Sequence, residues 1–339
     1  MGAMGQSAVT PERILQMAWG YAPPLMIEAG VRHRVFDILD EGPKDLQTVA
    51  RLSGASVRGL RAVMNALVGY GLLLKNHEGQ YSLASDAAAF LVSSKPGYLG
   101  GLARHTTDDL IPRWLALRDV VQTGKPAAGV NQQQAGSEFF EHFVEDLFPM
   151  NYPAAQALAR ALDLANVNHP VKVLDLAAGS GVWGIALAQS SPRVAVTAVD
   201  WPNVLEVTRR VVARRGVAER YSYAAGDLAA ADFGRGYDIA VLGHILHSEG
   251  ERRSRALLKK THDALKPGGT IAIAEFLVDD DRTGPPLGLT FAVNMLVATD
   301  EGDTYSFREI AGWLRDAGFE DARTVDAPGP SPLILATVA

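Results

Sequence analysis

Two different patterns of apolar and polar residues follow one another along the chain. In the first half, apolar residues recur at helical spacing after Ser56, which is a candidate N-cap. They are Leu60, Val63, Met64, Leu67 and Val68. A shorter helical stretch (LQTVARL, 46–52) precedes them, and two extended runs (72–75 and 80–84) joined by the polar NHEG follow. The order helix, helix, hairpin predicts a winged helix.

The second half alternates apolar runs with helix-compatible sequence. The runs are VKVLDL (171–176), VAVTAVD (194–200), YDIAVLG (237–243), TIAIAEFL (270–277) and a last one within residues 328–339. Continuous apolar strands that alternate with helices are typical of a parallel sheet covered on both faces. The polar segment NVNHP (166–170) separates this half from the helix-rich first half.

Composition excludes several classes of protein. A chain of 339 residues with 47% apolar content can bury a large core, and chains of this length usually form two domains. The 38 acidic residues outnumber the 32 basic ones, so we expect no nucleic-acid partner. The absence of cysteine excludes disulfides and thiolate chemistry. Because the sequence shows no leader pattern and no run of ~18 apolar residues, we expect a cytoplasmic protein that does not contact membranes.

A glycine-rich turn follows the first apolar strand of the second half. Gly179, Gly181 and Gly184 fit the spacing G-x-G-x-x-G, which in dinucleotide-binding folds lets backbone amides approach a pyrophosphate. Asp175 lies four residues before the first of these glycines. Its carboxylate would repel a pyrophosphate, whereas it suits a ligand that is positively charged and carries no phosphate.

Two further acids extend this prediction. Asp200 closes the next strand, where a carboxylate can accept hydrogen bonds from both ribose hydroxyls. Asp227 stands where a third loop would meet an adenine and accept a hydrogen bond from its exocyclic amine. Since these acids come without a phosphate-binding lysine, they indicate a site for an adenosine-bearing cation.

The segments DLAAGSG (175–181), GDL (226–228) and KPGG (266–269), together with the strand-end Asp200, resemble class I S-adenosylmethionine-dependent methyltransferases. With the winged helix in front, the whole chain resembles the small-molecule O-methyltransferases of plants and of bacterial secondary metabolism. The resemblance implies a homodimer with an α/β fold in three parts. These are a winged-helix dimerisation domain (1–105), a helical linker that covers the active site (106–168), and a Rossmann-like domain with a mostly parallel sheet and an antiparallel last strand (169–339).

The resemblance also implies S-adenosyl-L-methionine as the cofactor and assigns its binding residues. Asp200 would hold the ribose, Asp227 the adenine, and the glycines of the turn the methionine end, with the charge of Asp175 nearby. The implied set is Asp175, Gly179, Gly181, Asp200, Trp201, Gly226, Asp227, Leu228 and Gly243. Ala177 departs from the family, which often has a further glycine there.

For catalysis, the resemblance places a general base at His247, in the segment GHILHSE (243–249), and an acid that orients it at Glu275. A neutral imidazole, with an ordinary pKa of ~6.5, can take the proton of a phenol as the methyl group arrives. We interpret His244 as a core histidine whose hydrogen bonds are satisfied. We expect no metal, because no cluster of His, Asp and Glu shows ligand spacing in the sequence.

Two apolar stretches line the acceptor pocket in this family. They correspond to the linking segment 139–153 and to the segment 289–296. The candidate wall residues are Phe143, Phe148, Met150, Phe291, Asn294 and Met295. Aromatic and methionine walls suit a flat, apolar, hydroxylated small molecule as the acceptor.

Three positions near the base depart from the family. Ser248 and Glu249 stand where the family has an acid and a tryptophan, and its second orienting acid falls on Thr304, next to Asp303. These departures leave open methyl transfer to nitrogen or carbon, a different reaction of the same cofactor, or a site that works mainly by proximity. A function of another class also remains, a ligand-sensing regulator that binds DNA through the winged helix, although this module offers few basic residues for phosphate contacts.

Overall fold

The computed structural model describes residues 9–126, 140 and 143–339. The chain divides into two compact units, Met1–Leu110 and Ile111–Ala339. The division into 1–105, 106–168 and 169–339 stays a prediction, and residues 127–139 and 141–142 of the predicted linker lie outside the described residues. Among the helices of the described residues, none combines the length and the apolar character needed to cross a membrane.

The first unit contains short helices and a β-hairpin. Its helices are α1 (Glu12–Ala18), α2 (Ala22–Arg32), α3 (Val35–Asp40), α4 (Leu46–Ser53), α5 (Val57–Gly69), α6 (Ser85–Phe90) and α7 (Gly100–His105). The strands β1 (Leu73–Lys75) and β2 (Tyr81–Leu83) pair in antiparallel register. Because α4, α5 and the hairpin follow one another in the predicted order, the winged helix is confirmed.

The core of the first unit forms where the helical periodicity predicts it. Leu60, Met64 and Leu67 lie on one face of α5 and are at most 4% exposed. Ser56 caps the same helix, since its side chain accepts a hydrogen bond from the backbone N–H of Gly59 at 3.1 Å. The cap and the apolar face together fix where α5 begins and which side of it is buried.

Helix α1 presents apolar side chains without burying any of them. Ile14, Leu15 and Met17 are 56–66% exposed, and Trp19, just after the helix, is 63% exposed. Large apolar side chains that are exposed next to one another mark an interaction surface on a folded protein. We call residues 14–19 the α1 surface.

The second unit alternates helices with the strands of one large sheet. Its helices are α8 (Ile111–Trp114), α9 (Leu117–Thr123), α10 (Phe148–Ala161), α11 (Val182–Ser190), α12 (Pro202–Arg214), α13 (Leu246–Ala264), α14 (Pro286–Ala298) and α15 (Phe307–Ala317). Its strands are β3 (Val171–Leu176), β4 (Val194–Asp200), β5 (Tyr221–Ala225), β6 (Tyr237–Gly243), β7 (Leu265–Ala274), β8 (Leu277–Val278), β9 (Tyr305–Ser306), β10 (Phe319–Val325) and β11 (Leu333–Val338).

The large sheet has the order β10-β11-β7-β6-β3-β4-β5, and β8 pairs with β9 apart from it. Strands β3 to β7 are parallel to one another within the sheet, whereas β11 is antiparallel to both β7 and β10. The predicted α/β fold, with a mostly parallel sheet and an antiparallel last strand, is confirmed.

The candidate residues gather at the carboxyl edge of the parallel strands. Asp200 ends β4, Gly243 ends β6, Glu275 follows β7 directly, and the glycine-rich turn follows β3. Strand β3 pairs with β4 on one side and with β6 on the other, so the connections leave it in opposite directions. Ligands of open α/β sheets bind in the crevice that forms at such a reversal of strand order.

Candidate active site

The turn after β3 has a left-handed backbone at three positions. The φ angles are 52° at Ala177, 56° at Gly179 and 76° at Gly181, a region that glycine adopts freely and alanine rarely. Gly184 is needed for a different reason, because a Cβ there would lie 2.8 Å from Asp175 Oδ2. The missing side chain lets α11 approach β3 closely, and the turn can then present its backbone to a ligand.

Asp175 lies fully inside the protein and has an unpaired oxygen. Its Oδ2 accepts a hydrogen bond from the backbone N–H of Gly184 at 3.0 Å, while Oδ1 has no hydrogen-bond partner among the described residues. Burial, together with a smaller contribution from the nearby charge of Asp200, raises the pKa of Asp175 to about 7. An unpaired buried carboxylate oxygen is a ready partner for a positively charged ligand.

Asp200 is held by two backbone groups. Its Oδ2 accepts from the N–H of Gly179 at 2.8 Å and its Oδ1 accepts from the N–H of Trp201 at 2.7 Å. Burial raises the pKa of Asp200 to about 6. Because each carboxylate oxygen has a second lone pair, both can still accept hydrogen bonds from ribose hydroxyls.

The third loop is tied to α13. Gly226 has a φ of 152°, and Asp227 Oδ1 accepts from the N–H of Ala229 at 2.9 Å. Lys260 of α13 donates a hydrogen bond of 2.8 Å to the carbonyl of Leu228. These contacts hold the predicted adenine-binding residues in a fixed loop beside α13.

An arginine that the sequence analysis did not single out connects this loop to the region of the candidate base. Arg253 donates from Nε to Oε2 of the buried Glu249 at 2.5 Å, and its Nη2 lies 3.6 Å from Asp227 Oδ2. The hydrogen bond to Glu249 raises the pKa of Arg253. The spacing of four residues between Glu249 and Arg253 on a helix was the available signal.

His247 and Glu275 form a buried pair. His247 Nδ1 lies 2.7 Å from Glu275 Oε2, and the backbone N–H of His247 donates to Oε1 of the same carboxylate at 3.3 Å. Burial alone would raise the pKa of Glu275, but the charge and the hydrogen bonds of His247 bring it below its usual value. The ionised carboxylate therefore fixes the orientation of the imidazole, in the geometry that a general base requires.

His244 lies beside this pair and differs from its interpretation as a satisfied histidine. Its buried Nδ1 has no hydrogen-bond partner among the described residues, and its φ of 62° is left-handed. One ligand atom each of His244, His247 and Glu275 lie within 4.8 Å of one another. Sequence spacing could not reveal this cluster, because pairing of β6 with β7 assembles it from distant segments, and the expectation of no metal stays a prediction.

Aromatic rings form a wall next to His247. The rings of Phe291 and His247 meet edge to face, with their centroids 4.9 Å apart. Phe291 also stacks on Phe276, with a distance of 4.1 Å between the ring centroids. Phe276 also lies 5.2 Å from the ring of His244. Phe291 was a predicted wall residue, whereas Phe276 was missed although it follows Glu275 directly in the sequence.

Other predicted wall residues have different surroundings. Phe148 is 4% exposed and packs between the ring of Tyr152, 5.1 Å away, and the guanidinium of Arg215, 4.3 Å away. Asn294 accepts a hydrogen bond from Trp114 Nε1 at 2.9 Å. Phe148 is therefore a core residue, and the side chain of Asn294 already has a hydrogen-bond partner in the second unit.

The last wall residues differ in how deeply they are buried. Met295 is 6% exposed, while Phe143 and Met150 are partly buried. Val144, next to Phe143, lies 3.5 Å from the place that a Cβ on Gly179 would occupy, so this segment covers the glycine-rich turn. The pocket roles of these residues stay predictions.

Gly243 and Trp201 both lie at the carboxyl edge of the sheet. A Cβ at Gly243 would overlap Nε1 of Trp183, so only glycine allows this indole to approach the end of β6. Trp201 precedes α12, and its ring lies 6.3 Å from that of Phe140.

Among the contacts of the described residues, neither Ser248 nor Thr304, which depart from the family, forms a hydrogen bond with the imidazole of His247. Ser248 donates to the carbonyl of Ile245 at 3.0 Å, and Thr304 donates to the carbonyl of Gly288 at 3.2 Å. Asp303 instead donates its backbone N–H to the carbonyl of His247 at 2.9 Å. The loop around Asp303 therefore fixes the backbone of His247, and Glu275 is the carboxylate on its ring.

Comparison with known proteins decides the family. The profile of the O-methyltransferase domain matches residues 114–320, and that of the O-methyltransferase dimerisation domain matches residues 15–93. The chain belongs to the O-methyltransferase family. A 3-hydroxy-5-methyl-1-naphthoate 3-O-methyltransferase of Streptomyces sahachiroi is 32% identical over 94% of this chain and 92% of its own length.

Solved structures agree with this family. A candidate O-methyltransferase of Nostoc punctiforme superimposes with a TM-score of 0.89 at 31% identity, over 98% of this chain and all of its own. A structure of PigF with SAH has a TM-score of 0.84 at 25% identity, over 98% of this chain and all of its own. The predicted class, an S-adenosylmethionine-dependent O-methyltransferase with a dimerisation domain, is confirmed.

Proposed function

We propose that this O-methyltransferase methylates a hydroxyl group of a flat aromatic small molecule and that His247 is the general base. The observation that carries the proposal is the hydrogen bond of 2.7 Å between His247 Nδ1 and Glu275 Oε2, beside the ring of Phe291. An oriented imidazole next to an aromatic wall supports proton removal from a phenol that lies against this wall.

The pair determines which nitrogen receives the proton. An ionised carboxylate only accepts hydrogen bonds, so the proton between the two groups belongs to His247 Nδ1. In the neutral imidazole, Nε2 then carries a lone pair and can accept the proton of the acceptor. Glu275 stabilises the imidazolium that forms, since the two groups then have opposite charges.

The residues at the carboxyl edge fit S-adenosylmethionine, which when bound supplies a methyl group on a positively charged sulfur. Asp200 would accept hydrogen bonds from the ribose, and Asp227 would accept one from the adenine. The backbone of Gly179 and Gly181 would lie along the methionine end. Asp175 would offer its unpaired Oδ1 to the positive charge.

The acceptor is proposed to be aromatic for two reasons. Phe276 and Phe291 are stacked next to His247, and stacked rings favour a flat apolar partner. The relative from Streptomyces sahachiroi acts, by its name, on a hydroxyl of a naphthoate, which is an aromatic ring system. Both observations favour a phenol over an aliphatic alcohol.

A homodimer is part of the same proposal. The dimerisation-domain profile covers the α1 surface from residue 15 onwards, and the apolar side chains there are exposed in the single chain. Burial of such side chains against a second copy would remove them from water. The excess of acidic over basic residues further supports a small molecule, and not a nucleic acid or an anionic membrane, as the other partner.

The decisive experiment is transfer of a labelled methyl group from S-adenosylmethionine to a matched panel of phenols, anilines and apolar carbon nucleophiles. Product mass and fragmentation would locate the methyl group. We expect methyl ethers of phenols only. Methylated nitrogen or carbon as the main product, or no transfer to any phenol, would contradict the proposal.

A further inference from the structure

We propose that His244 is a specificity-determining residue that binds a second oxygen of the acceptor, next to the hydroxyl that is methylated. The inference rests on the proposed function, because it takes His247 as the base that receives the proton of that hydroxyl. It names an acceptor class, aromatic rings with oxygens on adjacent carbons, as in catechol, or on peri positions, as in 1,8-dihydroxynaphthalene.

The backbone holds His244 in a conformation that histidine seldom adopts. Its φ is 62°, and its N–H donates to the carbonyl of Ala274 at 2.9 Å, which ties it to the end of β7. Only His244 and Ile245 connect β6, which ends at Gly243, to α13, which begins at Leu246. Left-handed conformations of residues other than glycine persist where the surrounding structure enforces them, and they concentrate at functional sites.

The side chain lacks a hydrogen-bond partner although it is surrounded by rings. Its Nδ1 is buried and unpaired within the described part of the chain. The ring lies 5.2 Å from Phe276, 6.2 Å from His247 and 6.3 Å from Trp183. Burial lowers the pKa of His244 to about 4, so the imidazole is neutral at pH 7 and offers one donor and one acceptor. A polar group of the acceptor is the missing partner.

The spacing of the two imidazoles fits two neighbouring oxygens. One nitrogen of His244 and one of His247 lie within 4.8 Å of each other. Two oxygens on neighbouring positions of an aromatic ring can therefore each reach one imidazole, since a hydrogen bond to a ring nitrogen is about 2.8 Å long. Phe276 lies beside both imidazoles and stacks on Phe291. An acceptor whose ring lies against these phenylalanines can therefore present its two oxygens to the two imidazoles.

His244, His247 and Glu275 could together hold a divalent cation. The distance between His247 and Glu275 favours a hydrogen bond instead. His247 Nδ1 and Glu275 Oε2 are 2.7 Å apart. Two ligands of one tetrahedral zinc ion, each about 2.0–2.1 Å from the metal, lie roughly 3.3 Å from each other. The observed distance is that of a charge-assisted hydrogen bond.

The experiment compares kcat/KM, per hydroxyl group, for catechol, hydroquinone and phenol in the wild type and in His244→Phe. We expect the wild type to prefer catechol over phenol by about tenfold, the contribution of one hydrogen bond, with hydroquinone resembling phenol. His244→Phe should remove most of this preference. His244→Asn should keep part of it, because asparagine has a donor and an acceptor and tolerates a left-handed backbone.

His169→Phe is the matched control, since His169 is exposed and lies just before β3, at the amino edge of the sheet. Its preference for catechol should equal that of the wild type. An unchanged preference in His244→Phe would overturn the inference while leaving the proposed function intact. If His244→Phe loses turnover on all phenols and recovers at high pH, His244 is the base and the inference is overturned.

Two further outcomes are decisive. If a chelator abolishes turnover and zinc restores it, a metal site replaces the inference. If the wild type methylates no phenol, the proposed function fails, and calorimetry of catechol and phenol with the SAH-loaded protein then tests His244 separately. A binding preference for catechol that His244→Phe removes would support the inference, and equal binding would overturn it.

Discussion

His247 and His244 are three residues apart, yet their surroundings give them opposite properties. A carboxylate holds Nδ1 of His247 at 2.7 Å, while Nδ1 of His244 is buried without a partner among the described residues. The carboxylate fixes the orientation of the His247 ring, whereas burial lowers the pKa of His244 and disfavours its protonated form. We therefore assign proton transfer to His247. To His244 we assign a hydrogen bond to the acceptor, made by its neutral imidazole.

Replacement of His247 tests the base. His247→Ala should lower turnover on a phenol by about 10²–10⁴-fold at neutral pH, because the general base is lost. The loss should shrink as the pH approaches the phenol's own pKa of ~10, where solvent ionises the acceptor. Turnover as a function of pH measures this, and calorimetry should show nearly unchanged affinity for S-adenosylmethionine.

Glu275→Gln is the companion variant. It should lose less turnover than His247→Ala, since the imidazole stays in place without its charged partner. A His247→Ala protein that keeps more than about half of its rate would mean that alignment of the reactants, not proton removal, accounts for catalysis.

The pKa of Asp175 makes cofactor binding depend on pH. Burial raises that pKa to about 7, so the neutral form prevails in the unliganded protein at pH 6. A cationic ligand favours the carboxylate, and affinity for S-adenosylmethionine should therefore rise between pH 6 and pH 8. Calorimetry at several pH values measures it, and Asp175→Asn, which keeps an oxygen for Gly184, should show a smaller rise. Equal pH dependence in both proteins would refute the role of Asp175.

The same shift affects the stability of the unliganded protein. The folded pKa lies above the ordinary value of 3.8, so the folded state binds more protons between these values. Stability from this group is present below about pH 4 and is lost as the pH rises to about 7. Each unit of pKa difference corresponds to about 1.4 kcal/mol.

How far single residues could be predicted depended on whether their partners were close in sequence. The acids lie at the ends of strands that are apolar enough to recognise, and the glycines follow one of them, so Asp175, Asp200 and Gly181 could be found from their positions alone. The unpaired state of His244 and the role of Phe276 could not, because both depend on β6 and β7 being neighbours. That neighbourhood is a property of the sheet order, which no local pattern contains.

Packing of α11 on β3 is the contact between elements on which the glycine-rich turn depends. A Cβ at Gly184 would lie 2.5 Å from Tyr221 Oη, 2.8 Å from Asp175 Oδ2 and 2.8 Å from Val196 Cγ1. Gly184→Ala should therefore lower the free energy of unfolding by ~1–3 kcal/mol, because the helix must shift away from the strand. Urea unfolding measures the change, and weaker cofactor binding should accompany it.

Gly69→Ala supplies the control for this substitution. Gly69 ends α5, and a Cβ there would meet no atom within 4 Å. Its stability should rise by ~0.5–1 kcal/mol, since alanine favours the helix and restricts the unfolded chain. Equal effects of the two substitutions would show that close packing of α11 is not what Gly184 provides.

Elements were predictable where apolar residues form a nearly continuous run in the sequence. Strands β3, β4, β6 and β7 are apolar over most of their length and stand out as runs. Strands β5 and β10 mix exposed and partly buried residues, as expected at the two edges of a sheet, and their sequences show no such run. They were missed because half-exposed strands lack the signal on which the prediction relied.

For the whole molecule, the α1 surface predicts the state of assembly. Light scattering should give about twice the chain mass of 36.2 kDa, because exposed apolar side chains such as Trp19 are then buried between two copies. Trp19→Glu should shift the protein towards the monomer. Leu115→Glu, at a side chain that is 81% exposed in the second unit, is the control and should leave the mass unchanged. A wild-type mass that stays at one chain over all concentrations would contradict the homodimer.

The position of β11 has a consequence for biosynthesis. Ribosomes make β7 and β10 before β11, yet β11 is the strand that lies between them in the finished sheet. Until it emerges, both neighbours carry unpaired backbone groups on the sides that it will occupy, and such edges invite wrong pairing with other chains. We therefore expect the chain to be most prone to wrong strand pairing before β11 joins the sheet.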